Sequence, residues 1–225
     1  MICFRRSLFL FVASLGVIVA GVVFAQLAPD SAGWEFTGPG GIARLPNHPF
    51  SAELTTQTTG KGRGTSRLYR LYRDSQGRTM SCPPFQSGGY SNNMTEIDDP
   101  AAGDWYILDA RAQVAHKGAI PPRPPTPSLS PSTATAPNVL DMGMRIILGQ
   151  QATGTITTTA NGAQSVERWN CADLQLVLLM RAVNRSLTAV TEFTSLQLGD
   201  PPAAYFQVPS GYSVVNEPGP FTVLE

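Results

Sequence analysis

The sequence is short of the residues that catalytic centres commonly use. Its 225 residues include two histidines, His48 and His116, and three cysteines, of which Cys3 lies in the N-terminal leader. No C-x-x-C or H-x-x-x-H spacing occurs, which excludes a metal site assembled from local ligands. There is no G-x-S-x-G, and "GKGRG" at 60–64 lacks the spacing and the Ser/Thr of a phosphate-cradling loop. Charged residues make up only 14% and the formal net charge is zero, so no basic stripe recruits nucleic acid. Thr, Ser, Gly and Pro fill the gap, a composition that favours strands and turns over helix bundles.

What is present begins with "MICFRRSLFLFVASLGVIVAGVVFAQ". Arg5 and Arg6 form a basic start, Leu8 to Val23 an uncharged apolar run, and Val23-Phe24-Ala25 a cleavage site. Residues 1–25 read as a secretory signal peptide cut after Ala25, the competing reading being a retained anchor. The expected location is periplasmic or secreted, with membrane contact only through the signal peptide before cleavage. With Arg5 and Arg6 removed, 14 basic face 16 acidic side chains. In an oxidising compartment Cys82 and Cys171 are expected to form a disulfide, worth about 3–5 kcal/mol for a loop of roughly 90 residues.

Residues 26–46 read as a flexible leader and 47–215 as a β-rich domain. "NHPFSAELTTQTT" alternates as a strand should. In "TSRLYRLYRDSQGRTMSC", Tyr69 and Leu71 point one way and Leu68 and Tyr72 the other, with "DSQGR" as the hairpin turn. "MTEIDDPAAGDWYILDARAQVAHK" reads as three short strands joined by two turns. Residues 118–138 carry seven prolines in 21 positions and read as a Pro-rich surface insertion, the competing reading being a docking segment. Ile146 to Leu148, Thr153 to Thr159 and "AQSVERWN" read as further strands. "DLQLVLLMRAV" alternates at period two and reads as a strand against a competing helix, and "SLTAVTEFTSLQL" is the last long strand. Pro201 and Pro202 start one helical turn, Phe206 and Val208 face inward, and residues 216–225 form a tail.

Together "HPFSAELTTQTT", "YRDSQGRT", "DDPAAGDWYILDARAQVAHK", "ILGQQATGTITTT", "ERWNCADLQLVLL" and "FQVPSGYSVV" resemble a group of uncharacterised exported proteins of Gram-negative bacteria. That group is distantly similar to the LolA-like periplasmic half-barrels, which include lipoprotein carriers and RseB-type stress sensors. The resemblance implies a single curved antiparallel sheet with little helix and an apolar concavity. The sequence offers no amphipathic helix to plug that concavity, so no binding residue carries over.

Candidate chemistry is sparse. Cys171 as a nucleophile needs a base, and neither histidine has a motif that brings it there. Glu96, Asp98, Asp99 and Asp104 lie close in sequence, yet without the ligand period of a calcium loop they read as a solvated turn. Trp169 reads as core beside Cys171, with Asn170 and Asp173 supplying the turn. No cofactor, metal or catalytic residue is assigned. The expected function is non-enzymatic binding of a lipid or other apolar ligand, or of another cell-envelope protein. The alternatives are a structural envelope component and a hydrolase or transferase whose site assembles only in three dimensions.

Overall fold

A computed structural model describes residues 45–60, 64–84, 94–120 and 138–218. The expected signal peptide, the expected leader up to residue 44 and residues 121–137 of the expected Pro-rich insertion lie outside the described residues. Two antiparallel meanders account for most of the chain. The first holds β1 (Phe50–Gly60), β2 (Thr65–Arg73), β3 (Thr79–Cys82), β4 (Met94–Asp99), β5 (Asp104–Asp109) and β6 (Val114–Ala119). The second holds β7 (Asn138–Ile147), β8 (Gln150–Thr158), β9 (Gln164–Cys171), β10 (Leu176–Asn184) and β11 (Leu187–Leu198).

The first strand pairs with the last of the second meander, β1 with β11, and this ladder joins both into one open, curved sheet. A short strand, β12 (Ser213–Asn216), then lies parallel to β6 and completes the order β12-β6-β5-β4-β3-β2-β1-β11-β10-β9-β8-β7. The sheet is therefore mixed, where the sequence led us to expect an antiparallel one. β12 lies at the end of the region expected as the β-rich domain, and residues 219–225 of the expected tail lie outside the described residues. Helix among the described residues is limited to one 3₁₀ turn, Ala203–Phe206, placed directly after Pro201-Pro202 as expected. No helix of the described residues is long and apolar enough to cross a membrane.

Register explains which residues are inside. Ala52 lies opposite Leu71 and Leu54 opposite Tyr69, so these four share one buried face. Leu68, on the other parity of β2, is exposed. Phe50, Trp169, Cys171, Leu176, Leu178 and Phe193 join them in the main cluster. Each fully buried Leu or Phe there contributes roughly 1.5–3 kcal/mol. A smaller cluster of Ile97, Leu108 and Ala115 sits under Val208 and Tyr212.

The hairpins are closed by aspartates. Asp74 Oδ1 accepts the backbone N–H groups of Gln76 (3.0 Å) and Arg78 (2.9 Å), and its Oδ2 pairs with Arg78 Nε at 2.6 Å. Asp109 Oδ1 does the same for Arg111 and Ala112. The alternating run expected at 174–182 starts as a strand only at Leu176. Leu174 and Gln175 belong to the β9–β10 turn, with Gln175 at φ 50°. Asn170, expected in that turn, is a ladder residue opposite Val177.

Candidate functional site

The deepest polar feature is Arg73, at the end of β2 and fully buried. Its Nε donates to the His48 carbonyl at 2.7 Å, a terminal nitrogen donates to the Leu174 carbonyl at 2.9 Å, and the guanidinium lies 4.8 Å from the Phe50 ring centroid. Burial pushes its pKa down to about 10. Arg73 thus ties the start of β1 to the β9–β10 turn. Next to it, ladder partners place Thr79 opposite Asp98 and Ser81 opposite Glu96, all buried, with Thr79 Oγ1 donating to Asp98 Oδ2 at 3.1 Å.

The four acids grouped by the sequence therefore separate. Glu96 and Asp98 turn to the buried face, Asp99 caps its turn through the N–H groups of Ala101 and Ala102, and Asp104 pairs with Lys117 at 2.7 Å. Only Asp99 behaves as the solvated turn residue that we expected. No group of three metal-ligating side chains occurs among the described residues.

The cysteines and histidines are also dispersed. Cys171 is buried beside Trp169, Leu174 and Leu176, while Cys82 is half-buried at the end of β3, opposite Arg70. Both thiols are free, and the expected bridge is not formed. In the sheet, β2, β1, β11 and β10 stand between β3 and β9. His48 contributes its carbonyl to Arg73, and the His116 ring meets Glu217 Oε1 at 2.7 Å across the β6–β12 edge. The described hollow at the β8–β9 turn, about 340 Å³, is lined by Thr159, Ala160, Asn161, Ala163 and Gln164, without a large apolar side chain.

The feature that stands out is β7. It is one edge of the sheet, and nearly every residue along it is exposed. Val139 (63%), Leu140 (63%), Met144 (68%) and Ile146 (69%) are the most exposed large apolar side chains of the described residues, and Met142 and Leu148 are exposed with them. The hairpin to β8 turns through Leu148 and Gly149, both at positive φ. Besides its ladder with β8, β7 is held by Ile147 against the main cluster, by Met144 Sδ, which accepts from Gln151 Nε2 at 2.8 Å, and by a stack. Arg145 lies 3.8 Å over the Trp169 ring, whose Nε1 donates to Glu167 Oε1 at 2.6 Å. Gly154, between them on β8, leaves room for that ring, since a Cβ there would sit 2.6 Å from it. The sequence showed only Ile146 to Leu148 as strand. The longer strand was hidden because Asp141 and Gly143 interrupt the apolar pattern.

No family model matches the chain, and no curated protein matches it. Solved structures do. An uncharacterised conserved protein from Thermus thermophilus is 10% identical with a TM-score of 0.45, over 88% of this chain and 99% of that one. The MucA/MucB complex of Pseudomonas aeruginosa is 17% identical with a TM-score of 0.43, over 75% of this chain and 58% of that one. A putative outer membrane lipoprotein-sorting protein domain from Vibrio parahaemolyticus is 9% identical with a TM-score of 0.30, over 84% of this chain and 95% of that one. No residue assignment passes from them to this chain.

Proposed function

We propose that this is an exported, non-enzymatic β-sheet domain that binds an apolar ligand or another cell-envelope protein, and that β7 is its binding edge. The observation that carries the reading is the run of exposed Val139, Leu140, Met142, Met144 and Ile146 on a strand with one open backbone edge. Such edges are an aggregation hazard that natural proteins shorten, charge or cover, and contiguous exposed apolar surface marks interaction sites. Export is supported by the leader sequence, and the non-enzymatic reading by the dispersal of the cysteines, histidines and acids.

A photo-crosslinking side chain placed at Ile146 tests it in the producing cell. We expect an adduct with a partner protein or lipid at Ile146, and none at Arg185, an exposed turn residue on another part of the sheet. Equal adducts at both positions, or none at Ile146, would remove β7 as the binding edge.

A further inference from the structure

The sequence of β7 mirrors itself about Gly143. Met142 answers Met144, Asp141 answers Arg145, Leu140 answers Ile146 and Val139 answers Ile147. A regular strand of this sequence would match a second copy of itself run antiparallel, with acid–base pairs between apolar ones. The structure breaks that match. Asp141 lies opposite Thr155 and Gly143 opposite Gly154, so Met142 is an extra residue, a bulge. The bulge is held by Gly143 at φ 74° and by Asp141 Oδ1, which accepts the Gly143 N–H at 2.8 Å.

Its effect is to change faces. Thr155 and Gly154 are neighbours on β8 and point to opposite sides, so Asp141 and Arg145 do too. Arg145 shares the Trp169 face with Ala152, whereas Asp141 shares the other face with Met144 and Ile146. A two-fold register that spans the whole strand and keeps every side chain on its own face sets Leu140 against Arg145 and Asp141 against Met144, once in each copy. Self-pairing loses its charge match at the bulge. A lipid surface fits no better, because the open N–H and C=O groups of β7 would enter hydrocarbon without partners, at several kcal/mol each.

An extended segment of a different protein meets both demands. Its backbone takes up the open edge, and its side chains cover the apolar ones. The chain already uses this mode at its other edge, where Ser213–Asn216 add to β6 and the next residue, Glu217, brings a carboxylate to His116. Arg145 supplies the corresponding charge on β7. We propose that Gly143–Ile147 receives a short extended strand of another protein, with a carboxylate opposite Arg145 and apolar side chains opposite Met144 and Ile146. This deepens the reading of β7 as the binding edge and rests on it.

The probes are two peptides, acetyl-Thr-Val-Glu-Val-Thr-amide and the same peptide with Lys in place of Glu, titrated to millimolar concentration into the isotope-labelled mature protein. We expect the Glu peptide to shift the amides of Gly143–Ile147 and to bind about fivefold more tightly than the Lys peptide, as an exposed charge contact allows. Arg145→Lys should keep that preference and Arg145→Glu should reverse it. Equal binding of both peptides, or shifts elsewhere in the sheet, would overturn the proposal. So would a dimer seen by sedimentation without peptide and lost in Ile146→Thr, or co-sedimentation with phosphatidylglycerol vesicles lost in the same variant. An Ile146 crosslink to lipid together with silent peptides defeats the strand partner alone, while no Ile146 crosslink at all defeats the reading beneath it.

Discussion

The centre of the sheet and its β7 edge spend apolar residues differently. On β1 and β2, Phe50, Leu54 and Leu71 are buried, each strand has neighbours on both sides, and Arg73 fastens the region to a distant turn. On β7 an apolar sequence is largely exposed and flanked by one neighbour, with Ile147 against the main cluster and Arg145 stacked on Trp169. The first set explains why the chain folds. The second is left uncovered by the fold, and contiguous exposed apolar side chains call for an explanation in what the chain meets.

Substitutions can break this comparison if the two regions are not as different as they look. The largest effect is expected for Arg73→Ala, which strands the buried Leu174 carbonyl and the half-buried His48 carbonyl. Denaturant unfolding should show a loss of roughly 2–6 kcal/mol, about 1–3 for each orphaned acceptor. Gly154→Ala comes next. Its Cβ meets the Trp169 ring, and moving the ring or β8 should cost about 1–3 kcal/mol while releasing Arg145 from its stack. Near-ultraviolet dichroism of the tryptophan band should change in the same variant.

Cys171→Ala should cost only about 1 kcal/mol, the loss of a small buried group. A bridged cysteine would cost about 3–5 kcal/mol instead. Thiol titration of denatured, unreduced mature protein should find two sulfhydryls, and none would restore the bridge. The smallest effect belongs to Ile146→Thr, within about 0.5 kcal/mol of the parent. A loss like that of a core isoleucine would show that β7 is part of the folding core and would dissolve the contrast.

Much of the sheet was legible because period two is a local signal. Tyr69 and Leu71 against Leu68, the Asp74 and Asp109 turns, and the three strands from 94 to 117 follow from neighbouring residues alone. The parallel addition of β12 was not legible, since its four exposed residues carry no burial pattern and its partner β6 lies about a hundred residues earlier. Nor was β7 as a candidate site. A binding edge and a core strand use the same residue types, and only exposure in the folded chain tells them apart. The bulge at Met142 has a sequence trace in Asp141 followed two residues later by Gly143, but that pair reads equally well as a turn. The buried Glu96 and Asp98 were misread because a local window cannot see which face of β4 is covered.

The ladder between β1 and β11 has a consequence in time. Each of its pairs joins residues well over a hundred positions apart, and β1 is among the first parts of the domain to be made. While the chain is being synthesised from its N-terminus, β1 and β2 must wait for β11, with Phe50, Leu54 and Leu71 uncovered. Contacts of such long sequence separation place folding in the slow, millisecond-to-second range typical of non-local β proteins. The central pairing therefore closes late, and the interval before it closes is when this chain most needs protection from other chains.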